Sequence, residues 1–83
     1  MITITSIVQK KLEQALPGAV IEIVDESADH VGHRAPGAHL AVSITYAGFA
    51  QKTILEQHQL VYSILREEMK LEIHALKLTT KVN

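Results

Sequence analysis

The chain has 83 residues, a formal net charge of −1 and no cysteine, which leaves room for a single domain, residues 1–83. Without cysteine there are no disulfides, no thiolate nucleophile, no cysteine zinc finger and no iron–sulfur cluster held by the chain's own sulfur. Eight Lys and Arg against nine Asp and Glu do not form the cationic surface that drives nucleic-acid binding.

From the N-terminus, Met1-Ile2-Thr3-Ile4-Thr5 lacks the basic region and cleavage site of a signal peptide. No apolar run approaches the roughly 18 residues that span a bilayer; a cytoplasmic protein without membrane contact is expected. Ile4, Ile7, Val8, Leu12, Ala15 and Leu16 recur at three- and four-residue spacing, which predicts an amphipathic helix with Lys10, Lys11 and Gln14 toward solvent. Pro17-Gly18 stops it, since proline breaks the hydrogen-bond ladder and glycine tolerates the left-handed exit. The β-branched run Val20-Ile21-Glu22-Ile23-Val24 predicts a strand. Asp25-Glu26-Ser27 ends it and opens a loop, Ala28 to Ala38, with Gly32, Pro36 and Gly37. Leu40, Val42, Ile44 and Tyr46 alternate with Ala41, Ser43 and Thr45, a strand with one buried face. Ala47-Gly48 turns the chain, with one further helical turn near Phe49-Ala50-Gln51. Ile54, Leu55, Val61, Tyr62, Leu65 and Met69 mark the apolar stripe of a second long helix. Ile73 to Thr80 closes as a third strand. The order α-β-β-α-β predicts an α+β fold, a two-layer sandwich with helices covering one face of a three-stranded sheet.

The candidate chemistry lies in five histidines, His30, His33, His39, His58 and His74. No nucleophile elbow surrounds Ser27, Ser43 or Ser63, and the four glycines form neither a phosphate loop nor a GxxG clamp. The carboxylate neighbours Asp25/Glu26 and Glu67/Glu68 are expected to be solvated, and no catalytic role is expected of this chain. His30 and His33 stand as H-x-x-H in the long loop beside Asp29; they are either exposed loop residues or ligands for zinc, copper or iron. His58 falls within the stripe of the second helix, either packed on the sheet or emerging at its rim. His39 and His74 flank strand starts and read as structural, and Tyr62 and Phe49 read as core.

The run Val24-Asp25-Glu26-Ser27, then His30, Pro36-Gly37 and His39-Leu40, resembles the first half of BolA-like proteins. Phe49, His58-Gln59-Leu60-Val61-Tyr62, Leu65, Glu68 and Ile73-His74-Ala75-Leu76 resemble the second half, so the likeness covers about residues 4 to 80. The resemblance implies a type II KH-like architecture without its GxxG loop. It also implies a monothiol glutaredoxin partner and a [2Fe–2S] cluster shared with that partner and glutathione, with no cofactor on the isolated chain. Carried over by position, the helix ligand falls on His58 and the loop ligand on His30, with His33 as the alternative. With no cysteine the chain's share of the ligands is all histidine, which raises the cluster's potential and makes it labile toward acid pH. The family's other implied role is DNA-binding transcriptional regulation, for which Lys52 and Arg34 are the candidate contacts. Gln57 and Gln59 stand where the family has arginines beside the helix histidine, so weak DNA binding at most is expected. A third possibility is a small zinc domain built on His30, His33 and His58.

Overall fold

The computed structural model describes residues 3–26 and 38–82. Helix α1 spans Ile4–Ala15, strand β1 Val20–Asp25, strand β2 Ala38–Thr45, helix α2 Ile54–Ile64, helix α3 Arg66–Leu71 and strand β3 Ile73–Lys81, with a 3₁₀ turn at Ala47–Phe49. The Thr3 hydroxyl accepts the Ser6 N–H at 3.1 Å and caps α1. At its other end Leu16 donates to the Leu12 carbonyl, and Gly18 then takes a φ of 84°, a left-handed turn that an L side chain resists. The stripe foreseen for this helix holds at Val8, Leu12 and Leu16, which are buried, whereas Ala15 is exposed.

The sheet has the order β1-β2-β3. Strand β1 runs antiparallel to β2, and β3 parallel to β2. A parallel neighbour demands a crossover, and α2 and α3 supply it on the face that α1 also covers. Leu40, Val42 and Ile44 of the central strand point into that layer. They pack with Val8, Leu12, Leu16, Phe49, Val61, Leu65 and Ile73 as one core. The first and third strands extend one residue past the expected ends, to Asp25 and Lys81, and Ala38 belongs to β2 rather than to the loop. Past β2, Gly48 lies under the Tyr46 ring, where a Cβ would come 2.4 Å from Cε2, and Tyr46 meets Phe49 edge-on at 5.2 Å.

The second helical region departs from the expected stripe. It is two helices, with the break at Leu65 marked by neither glycine nor proline. Ile54, Leu55 and Tyr62 are exposed at 60%, 65% and 39%, while the polar Gln57 and Glu68 are buried. The physical reason lies in the hydrogen bonds. Gln57 donates to the carbonyls of Lys52 (3.0 Å) and Phe49 (3.4 Å) and accepts from the Thr80 hydroxyl. An amide that closes off the carbonyls of a tight turn is the side chain this buried position accommodates. Glu68 is not solvated but pairs with Lys11 across the helix layer, Nζ to Oε2 at 2.7 Å, so Lys11 faces the protein rather than water alone. Of the two aromatic residues expected in the core, Phe49 is there and Tyr62 is not.

Candidate functional site

Of the candidate ligands, His30 and His33 lie outside the described residues, as does Arg34. His58 occupies the second turn of α2 and is half-buried. Its neighbour Gln57 takes a hydrogen bond from Thr80, which pairs with Ile44 near the far end of β2. His58 therefore belongs to the end of the molecule where β2 finishes and β3 terminates. Lys52 is exposed at that same end, just before α2.

The segment 27–37 joins the sheet at the opposite end. Asp25 pairs with Leu40 and Ala38 with Ile73, so β1 finishes where β2 and β3 begin. Ile73 and Thr80 are separated by about 23 Å along β3, taking roughly 3.3 Å per residue. The structure thus does not bring His58 to the anchors of the histidine-bearing segment.

It brings two other histidines there. The register slips between Ala38, which pairs with Ile73, and His39, which pairs with Ala75. His74 is the extra residue of this irregularity, and such a bulge re-aims the side chain it inserts. Leu40 and Leu76 point into the core, so His39 lies on the face of the sheet away from the helices. The His74 ring meets it there, centroid to centroid 5.1 Å and tilted by 49°. His39 is half-buried and His74 exposed.

The backbone around them is tied down. The Glu26 N–H donates to the His39 carbonyl at 2.7 Å, and the Ala38 N–H to the Glu72 carbonyl at 2.7 Å. The Glu26 carboxylate also reaches across β2 to Lys77 Nζ at 3.2 Å. The small Ala41, which pairs with Lys77 in the central strand, leaves this path open.

Chemically, an exposed imidazole at a sheet rim offers one borderline nitrogen ligand to iron, zinc or copper. Among the described residues no three His, Asp or Glu side chains come together to hold a metal ion. A metal centre at this rim would need donors beyond the described residues. Sequence reasoning set His39 and His74 aside as structural, because their meeting depends on a one-residue slip of register. The signals available were that both stand at the start of neighbouring strands and that both are among the residues that carry the family resemblance.

Residues 12–83 match the family model described as BolA-like protein. The chain is 34% identical over 74 residues to BolA-like protein 1 of Mus musculus, covering 89% of this chain and 54% of that protein. It is 33% identical over 73 residues to the DNA-binding transcriptional regulator BolA of Escherichia coli K12, covering 88% of this chain and 70% of that protein. Among solved structures, BolA1 from Arabidopsis thaliana superimposes with a TM-score of 0.86 at 31% identity, over 99% of this chain and 94% of the other. The chain spans about half the length of the mouse relative, and 22% of the SufE-like protein 1 of Arabidopsis thaliana that it also matches.

Proposed function

The chain belongs to the BolA-like protein family, and from that premise we propose that it is an adaptor that shares a [2Fe–2S] cluster with a glutathione-bearing monothiol glutaredoxin. The cluster is cargo, held by thiolates on the partner's side and by imidazoles on this side. The observation that carries the proposal is the placement of His74, exposed at the end of the sheet where the segment holding His30 and His33 attaches. One ligand then comes from β3 and the second from His30, or from His33. His58 is the competing ligand, placed toward the other end of the sheet.

When bound, the cluster supplies a one-electron couple and transferable iron and sulfide. This chain's residues do the holding. The bulge aims His74 outward, and the bonds of Glu26 and Ala38 fix the two points between which the segment is strung. Imidazoles in place of thiolates leave less negative charge on the iron they bind, which raises the cluster's potential.

Mixing the chain with a monothiol glutaredoxin, glutathione, iron and sulfide under reducing anaerobic conditions tests the proposal by visible absorption and circular dichroism. The expected result is a heterodimer whose spectrum carries mixed sulfur and nitrogen ligation. His74→Ala should lose that signature and His58→Ala should keep it. The opposite pattern would return the ligand to His58, and a wild-type mixture without a shared cluster would refute the adaptor function.

A further inference from the structure

An exposed histidine on a strand end has two free side-chain torsions, and a ligand that must first be ordered binds more weakly than one already held in place. His74 is not left free in this way. Its ring rests on that of His39 at 5.1 Å and 49°, within the range in which tilted aromatic pairs attract. His39 is itself anchored. Its carbonyl accepts from Glu26, its neighbour Leu40 is 1% exposed in the core, and the ring is half-buried on the central strand. The register slip that makes His74 the extra residue is the same feature that sets the two rings side by side.

We propose that His39 is a positioning residue for His74: through the tilted ring contact it holds the His74 imidazole in the orientation from which it reaches a metal centre beyond the sheet edge. The inference rests on the adaptor function proposed above and adds a residue to it. His39 acts through contact with His74 and does not itself ligate. Its ring surface is what matters, so phenylalanine should replace it and an aliphatic or amide side chain should not. Groups that orient a ligating histidine by hydrogen bonding affect metal retention by about 10- to 100-fold, and the ring contact is expected to act toward the lower end of that range.

The test compares wild type with His39→Phe, His39→Leu and His39→Gln, each first shown to keep the wild-type unfolding transition. Two different ringless variants are included so that one that loosens β2 does not decide the matter. In the isolated chain, proton NMR reads the contact directly. Nuclear Overhauser effects and ring-current shifts link the two side chains in wild type, persist in His39→Phe and vanish from the His74 signals in the ringless variants. In the glutaredoxin complex, the rate of cluster loss to an iron chelator should rise about 10-fold or more in His39→Leu and His39→Gln and stay within about twofold of wild type in His39→Phe.

Equal lifetimes in all four proteins would overturn the role of His39 and leave the adaptor function intact. Loss in His39→Phe equal to that in the ringless variants would also overturn it, since a ring nitrogen rather than the ring face would then be required. A wild-type complex that takes up no cluster would overturn the adaptor function, and this inference with it.

Discussion

Glu68 is 6% exposed, and only its Oε2 is paired, with Lys11; Oε1 is buried with no hydrogen-bond partner among the described residues. Burial pushes its pKa up, but the hydrogen bond from Lys11, a backbone hydrogen bond and the nearby charge outweigh that, so the net shift is downward from 4.5. The same contact raises the Lys11 pKa above 10.5, chiefly through its hydrogen bond to Glu68. The signs follow directly. A carboxyl held below its unfolded value contributes stability that is complete above about pH 4.5 and is lost as pH falls through the folded value. The lysine's contribution is complete below 10.5 and is lost as pH rises through its higher folded value. Urea unfolding from pH 7 to pH 3 should therefore show a steep acid limb in wild type and a shallower one in Glu68→Met. At pH 7, Glu68→Met should lie within about 1 kcal/mol of wild type, because a buried ion pair often gives little over a packed apolar side chain. Lys11→Met should be the more destabilising, because it leaves the Glu68 carboxylate buried without its cation. The reverse ranking would mean that the pair is not formed in solution.

At the scale of elements, α2 depends on a local device. The Thr53 hydroxyl accepts the Glu56 N–H at 3.1 Å and the Glu56 carboxylate accepts the Thr53 N–H at 2.9 Å, a reciprocal capping box. The Thr53 backbone N–H and then its side chain draw the Glu56 pKa downward, so this cap, too, weakens in acid. Thr53→Ala should cost about 1 kcal/mol, a fall in melting temperature of roughly 4–8 °C for a domain of this size. Circular dichroism melts measure it, and an unchanged midpoint would show that tertiary packing alone sets the start of α2. This helix also marks the limit of what the sequence displays. Helix α1 and the three strands were legible because their core positions are uniformly apolar and follow the periods of helix and strand. In α2 and α3 the core face includes Gln57 and Glu68, while Ile54, Leu55 and Tyr62 face water. A pattern of apolar spacing places such a helix wrongly about its own axis. The compensating partners, the carbonyls of Phe49 and Lys52 and the ammonium of Lys11, are distant in the chain or are backbone atoms. The break at Leu65 was likewise unmarked by residue type.

At the scale of the molecule, the mixed sheet gives the protein two ends of different character. One gathers His39, His74 and the anchors of the segment 27–37, and the other holds Lys52, His58 and the start of α2. The histidines themselves were legible in the sequence; which of them share an end was not, since that depends on the direction of β3 and on one slipped pairing. The same layout bears on DNA binding, the property named for the Escherichia coli relative. Lys77 is engaged with Glu26 and Lys11 with Glu68, while Lys10, Lys52, Lys70 and Lys81 lie on four different elements or their flanks. Arg66 and Lys70 share one face of α3, but Glu67 lies between them and Glu72 just beyond. With a net charge of −1, no surface of the described residues concentrates cations as phosphate binding requires. Also, Gln57, at one of the two positions where an arginine would flank the helix histidine, is buried and hydrogen-bonded, so only Gln59 marks a cation missing from the surface. If the chain makes no more than about three phosphate contacts, the slope of log affinity against log salt should be no steeper than about −2.7. Fluorescence anisotropy of a labelled duplex between about 50 and 200 mM salt measures this slope, and micromolar or weaker binding is expected at physiological ionic strength. Nanomolar affinity with a slope steeper than about −5 would require a cationic surface that the described residues do not form, and would favour a regulator over the adaptor.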